Sequence, residues 1–203
     1  MRINVPNQLT LGRLVLAIVF FVLLAQYSQR EPKSWLLDAC LVIFIVAAVT
    51  DFLDGHLARR QNQVTALGRV LDPFADKVLV CGAFVFFASP AFWSDAGGNV
   101  TGVKAWMVVV IIGRELFVSG LRGFSESQGI SFGAEFIGKA KMWTQSVTVG
   151  VLLLLVARRG LGPSPNADLV QQAFVWLTVV VTAASLVAYL IKAKAILLDA
   201  SRR

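Results

Sequence analysis

Residues 169–191 read Leu-Val-Gln-Gln-Ala-Phe-Val-Trp-Leu-Thr-Val-Val-Val-Thr-Ala-Ala-Ser-Leu-Val-Ala-Tyr-Leu-Ile, a run without one Asp, Glu, Lys or Arg. A hydrocarbon layer of ~30 Å takes about 20 helical residues to cross, and this run supplies them. Working outward, five more runs of the same kind occupy roughly residues 9–26, 35–54, 74–92, 104–124 and 142–156. Short polar breaks with Pro, Gly, Ser and Asn separate several of them, at 28–34, 94–102 and 158–167. A transmembrane β-barrel needs segments of alternating hydrophobicity, and these runs are continuous. The expected fold is therefore all-α: a polytopic membrane protein, a bundle of six transmembrane helices forming a single domain over residues 1–203. No internal repeat, long linker or low-complexity tract interrupts it.

Composition agrees. Of 203 residues, 57% are hydrophobic and only 15% charged, against about 45–50% and about 25% in soluble domains. Mean hydropathy is +0.71. A disordered chain, a coiled coil and an ordinary water-soluble fold are excluded. The formal net charge of +7 points to anionic headgroups and phosphorylated substrates, with no nucleic acid partner. Two cysteines, Cys40 and Cys81, lie inside apolar runs and offer neither a disulfide framework nor a thiolate metal site.

Basic residues flanking spans stay cytoplasmic. Fourteen of the nineteen Lys and Arg residues fall on the side holding the N-terminus, the second and fourth connections and the C-terminus. Both termini are expected in the cytoplasm. The first run, behind Arg2 and Arg13, has the look of a signal peptide ending at Ala25. Cleavage there would leave an odd number of spans and invert the charge count, so the first helix is read as uncleaved.

Four of the twelve acidic residues are concentrated between Asp51 and Asp76, where the second run ends and the third begins. Asp51 and Asp54 are spaced i, i+3, and Asp72 and Asp76 i, i+4, so each pair shares a helical face. One Asp at mid-bilayer costs about 2.5–3.5 kcal/mol, and four converging would also repel one another. Hard divalent cations such as Mg2+ or Mn2+ prefer such oxygens. Zinc suits the set poorly, since His56 alone offers nitrogen, and His56 is read as facing away from the carboxylates. Taken singly, the residues have structural uses: Asp72 before Pro73 resembles a helix N-cap, and Asp51 or Asp54 can pair with Arg59 or Arg60. All four together, interleaved with Gly55, Ala58 and Gly68, resist that account. Small residues there leave room for a ligand to approach the backbone.

The pattern Asp51-x2-Asp54-Gly55-x2-Ala58-Arg59-x8-Gly68-x3-Asp72-x3-Asp76 resembles, without a gap, the signature of the CDP-alcohol phosphotransferase family. The resemblance implies a six-helix integral membrane enzyme, usually a homodimer, that displaces CMP from a CDP-linked donor with an alcohol and two divalent cations, Mg2+ or Mn2+. It implies that Asp51, Asp54, Asp72 and Asp76 hold the metals. It assigns Gly55, Ala58, Arg59 and Gly68 to the cytidine and diphosphate, and makes Asp76 the general base on the acceptor hydroxyl.

A second constellation bears on the acceptor. Arg114-Glu115 interrupts the fourth run, and Arg122, Lys139 and Lys141 follow. Charges inside a span normally face a polar cavity, and Arg and Lys are the usual partners of phosphate. Snorkelling accounts for Lys139 or Lys141 but poorly for Arg114, with apolar residues on both sides. The segment 113–122, the pair Lys139 and Lys141 with Gln145, and the N-terminal Asn7, Thr10 and Arg13 resemble the branch of the family whose acceptor is glycerol 3-phosphate. Met142 departs from it, where that branch commonly has Thr. This resemblance covers about residues 4–145. It implies transfer of a phosphatidyl group from CDP-diacylglycerol to sn-glycerol 3-phosphate at the cytoplasmic side of a bacterial inner membrane. Arg114, Arg122, Lys139 and Lys141 would bind the acceptor phosphate, with Asn7, Thr10 and Arg13 near the substrates. A sibling using another acceptor, such as inositol phosphate, is the alternative. A divalent-cation transporter is a remote one, because the carboxylates are confined to one side.

Overall fold

The structure is a computed structural model that describes the backbone of residues 5–61, 66–95, 97–127, 136–159 and 165–200. Side chains are described within 10–50, 74–75, 77–95, 97–125, 127, 138–159 and 165–194. Among the described residues there are six α-helices: α1 (Val5–Gln26), α2 (Ser34–Gln61), α3 (Ala66–Phe87), α4 (Ala105–Ser127), α5 (Phe136–Arg158) and α6 (Pro165–Ala200). Each coincides with one of the apolar runs, and several extend well beyond it. Helix α6, with 36 residues, is about 54 Å long at 1.5 Å per residue, more than a bilayer's hydrocarbon thickness.

Two expectations need correction. The N-cap reading of Asp72 fails, because α3 begins at Ala66 and continues through Pro73. Proline removes one N–H and frees the carbonyl of Arg69, a loss that packed membrane helices tolerate because neighbouring groups re-satisfy the backbone. The third apolar run does not stay helical to Phe92 either. Helix α3 stops at Phe87, and the chain turns through a short 3-10 segment, Pro90–Phe92, into a two-stranded antiparallel hairpin. The strands are β1 (Trp93–Ser94) and β2 (Gly98–Asn99), with Trp93 opposite Asn99. Gly97, at φ 84°, makes the reversal possible. Beyond it, Asn99 Nδ2 and Thr101 Oγ1 donate to the Phe87 carbonyl at 2.7 and 2.9 Å, closing the end of α3. Phe92 is fully buried, edge-on to Phe87 and against Tyr27. Hydropathy registers that plug as a continuation of the span, although its burial is in protein.

Helix α2 packs on α1 and α5, α1 also on α3, and α6 on α4 and α5. Phe20, Leu37, Cys40, Phe84, Ile111 and Leu152 belong to the central cluster. At Gly82 α1 and α3 approach so closely that a Cβ would lie 2.3 Å from the Phe21 ring. Between α5 and α6 the contact is polar: Thr148 and Thr178 share a 2.7 Å hydrogen bond, and Gln145 donates to Thr182 at 3.1 Å. Such bonds hold helices together where hydrophobic burial gives no preference for protein over lipid.

The outer surface is apolar. Ile18, Val42, Val109, Leu116, Val180 and Ile191 are all at least 59% exposed. Patches of this kind cannot rest against water in a stable monomer, whereas hydrocarbon accommodates them. The stretches Gly138–Arg158 and Pro165–Lys194 are long and apolar enough to cross a membrane, and shorter apolar stretches occupy Thr10–Gln26, Ser34–Thr50 and Lys77–Phe87.

Candidate active site

The eight motif positions divide between two helices. Asp51, Asp54, Gly55, Ala58 and Arg59 are on the last turns of α2, and Gly68, Asp72 and Asp76 on the first half of α3. Helical spacing keeps Asp51 with Asp54 and Asp72 with Asp76, each pair on one face. Helices α1 and α5 both pack against α2 and α3. The side chains of these eight residues, and those of His56 and Asn7, lie outside the described residues. Among the described residues no group of three His, Cys, Asp or Glu is arranged to hold a metal. The donor set is chemically suited to Mg2+ or Mn2+: four carboxylates and no thiolate.

On α1, Thr10 and Arg13 are 2% and 3% exposed. A guanidinium so deeply placed on a helix facing α2 and α3 is enclosed by the bundle and does not snorkel to the surface.

The second constellation closes into a defined cavity of about 190 Å3, lined by Lys77, Arg114, Glu115, Val118, Ser119, Arg122, Gly138, Lys141 and Met142. Glu115, on α4, is its electrostatic centre. Oε1 accepts hydrogen bonds from Arg114 Nη1 at 3.1 Å and Lys141 Nζ at 2.5 Å. All three residues are at most 6% exposed. Helix α6 braces the two arginines from behind. Arg114 Nη2 donates to Ser185 Oγ at 2.8 Å, and Arg122 Nη2 to the Tyr189 hydroxyl at 3.2 Å. The Tyr189 ring lies under both guanidiniums, 5.3 Å from Arg114 Cζ and 6.0 Å from Arg122 Cζ. Gly138 is where α5 admits this arrangement, since a Cβ there would sit 2.9 Å from the Tyr189 hydroxyl.

The charges do not balance. Four cations and one carboxylate line the cavity among the described residues. Arg114 Nε and Arg122 Nε are buried donors with no acceptor among the described residues. Buried N–H groups of charged side chains are costly to leave unmade, and an anion with several acceptor oxygens would satisfy them. Phosphate suits the planar guanidinium donors.

Of the four residues expected at an acceptor phosphate, Arg114, Arg122 and Lys141 are brought together, while Lys139 is exposed on α5 and does not line the cavity. Lys77, Ser185 and Tyr189 went unrecognised in the sequence. Ser185 and Tyr189, spaced i, i+4, continue along α6 the polar line begun by Thr178 and Thr182, the signal that would have found them.

Against this cavity lies an apolar groove of about 380 Å3 between α3 and α4, lined by Phe74, Lys77, Val78, Cys81, Ile112, Glu115, Leu116 and Ser119. It runs on through Val78, Cys81 and Ile112 into a second apolar hollow of about 310 Å3, which Phe21, Gly82, Val85 and Phe86 complete. An apolar channel therefore ends at a cationic chamber.

A sequence model of the family described as CDP-alcohol phosphatidyltransferase matches residues 3–184. The chain is 37% identical over 186 residues to a CDP-diacylglycerol–glycerol-3-phosphate 3-phosphatidyltransferase of Bacillus subtilis (strain 168), covering 87% of this chain and 90% of that one. Proteins of the same name from Shigella flexneri serotype 5b (strain 8401) and Escherichia coli (strain K12) are 39% and 38% identical over 203 residues, covering 98% of this chain and 100% of each of theirs.

Proposed function

The chain belongs to the CDP-alcohol phosphatidyltransferase family, and on that premise we propose that it moves the phosphatidyl group of CDP-diacylglycerol onto sn-glycerol 3-phosphate, giving phosphatidylglycerophosphate and CMP. The observation that carries this reading is the meeting of the apolar groove with the cationic cavity. A lipid donor enters sideways with its acyl chains in the groove, and a small phosphorylated alcohol is held by Arg114, Arg122 and Lys141. Serine or choline would leave those cations unmatched.

In the reaction the acceptor's hydroxyl oxygen bonds to the phosphorus of the phosphatidyl group. The bond from that phosphorus to the oxygen bridging to CMP breaks, its electron pair leaving on CMP. The hydroxyl proton passes to Asp76, the proposed general base. Asp51, Asp54, Asp72 and Asp76 would hold two divalent cations, Mg2+ or Mn2+, which supply positive charge to the pyrophosphate and the departing CMP. Arg59 would add a guanidinium for the same charge, and Gly55, Ala58 and Gly68 would leave the donor's cytidine and diphosphate room against the backbone. Thr10 and Arg13, buried on α1, and Asn7 are assigned to the neighbourhood of the substrates.

The whole chain is one domain of six membrane crossings in the inner membrane of a bacterium, with both termini and the active site on the cytoplasmic face, and it works as a homodimer. The test is CMP release by purified protein with CDP-diacylglycerol and Mg2+ or Mn2+, across a panel of glycerol 3-phosphate, inositol phosphate, serine and choline. Turnover with glycerol 3-phosphate is expected. Turnover with inositol phosphate alone would replace the acceptor, and metal flux into proteoliposomes without CMP release would replace the reaction.

A further inference from the structure

The groove and the cavity share three lining residues, Lys77, Glu115 and Ser119. A molecule with its tails in the groove and its phosphorus within reach of an acceptor in the cavity must pass that junction. Glu115 is already committed to Arg114 and Lys141. Ser119 donates its hydroxyl proton to the Glu115 carbonyl at 2.6 Å. Lys77 is the cation at the junction. Its Nζ donates to Ser119 Oγ, and no carboxylate pairs with it among the described residues. An ammonium has three N–H donors, and one hydroxyl uses one of them. Its four-carbon stem lies along the groove wall beside Val78 and Cys81, which lets a charge stand at the edge of an apolar channel. Lys77 also directly follows Asp76 on α3.

Resting on the function proposed above, we infer that Lys77 grips the non-bridging oxygens of the phosphatidyl phosphorus, where the donor groove opens into the acceptor cavity. Arg114, Arg122 and Lys141 hold the phosphate that the acceptor brings and keeps. Lys77 serves the phosphate that changes partners. In the transfer, the P–O bond to CMP breaks as the bond to the acceptor oxygen forms, and charge spreads over those non-bridging oxygens. A preplaced ammonium stabilises that distribution without reorganising. A merely structural Lys77 would tie α3 to α4 through Ser119 and do nothing else.

Lys77→Met, Lys77→Arg and Ser119→Ala separate the two roles when kcat and both KM values are measured beside binding of CDP-diacylglycerol and of glycerol 3-phosphate to the full-length protein. Lys77→Met keeps the stem and is expected to lower kcat about 10²- to 10³-fold, the loss typical of one donor to developing charge. It should weaken CDP-diacylglycerol binding and leave glycerol 3-phosphate binding intact. Lys77→Arg should recover most of the loss, and Ser119→Ala should cost far less than Lys77→Met. Equal losses in Ser119→Ala and Lys77→Met would reduce Lys77 to a tether. Weakened glycerol 3-phosphate binding in Lys77→Met with the donor unaffected would move the residue to the acceptor. In either case wild-type turnover would still support the transferase reading. If the wild type binds neither substrate, the function itself falls, and this inference with it.

Discussion

The two ends of the bundle treat charge in opposite ways. At the end carrying the hairpin, three arginines each meet a carboxylate near the surface. Arg158 meets Asp38 at 3.0 Å, Arg159 meets Asp168 at 2.5 Å and Arg30 meets Asp95 at 3.3 Å, with every one of these side chains at least 32% exposed. At the other end Arg114, Arg122, Lys141 and Lys77 line one cavity in which Glu115 is the single carboxylate among the described residues, and Arg114, Glu115 and Lys141 are almost fully enclosed. Exposed pairs of the first kind are worth about 0–1 kcal/mol, because water already solvates both partners. Enclosing Arg114 and Lys141 with Glu115 as their one carboxylate among the described residues is a stability cost. Paired surface charge does little for the fold, and the enclosed cations are where we propose the acceptor's phosphate binds.

Mutations at the two ends should reflect that difference. The largest effect is expected at Asp76, on the α3 segment leading to Lys77: Asp76→Asn should cut turnover by about 10²–10⁴-fold, as for loss of a general base, while CDP-diacylglycerol binding persists. An active Asp76→Asn enzyme would remove Asp76 from the chemistry. Next, Arg114→Ala should raise the KM for glycerol 3-phosphate by about 30- to 10³-fold, the range for truncating a buried charged partner, with the donor KM little changed. A parallel loss of both would show that Arg114 serves the fold rather than the acceptor.

Tyr189 sharpens the contrast, since it arranges two guanidiniums without adding charge. Tyr189→Leu removes the ring beneath Arg114 and Arg122 and is expected to raise the glycerol 3-phosphate KM about 3- to 30-fold, from cation–π terms of about 0.5–2 kcal/mol. Tyr189→Phe, which keeps the ring, should lose much less. Equal effects would assign the work to the hydroxyl. Smallest of all, Arg159→Ala at the hairpin end should leave turnover within about twofold and change unfolding free energy by no more than about 1 kcal/mol. Should it disable the enzyme as Arg114→Ala does, the opposition between the two ends fails.

Much of this was readable in the chain. Transfer from water to hydrocarbon depends on each residue's own chemistry, so continuous apolar runs located all six helices without knowledge of their neighbours. The carboxylates were readable for the same reason, because Asp51, Asp54, Asp72 and Asp76 are conspicuous in a sequence so poor in charge. Arg114 stood out likewise. Phe92 misled, because burial in a protein plug and burial in lipid look alike to hydropathy.

What sequence alone determined was the medium, the helices and which ionisable residues had no ordinary reason to be there. Tertiary structure alone decided which of them meet. It set Ser185 against Arg114 from 71 residues away, Tyr189 against Arg122 from 67, and Lys77 against Ser119 from 42, and it left Lys139 outside. The physical reason is the solvent: when lipid and protein interior are equally apolar, hydrophobicity no longer marks the inward face of a helix. Small residues and polar contacts choose that face, and they act only once the helices are side by side.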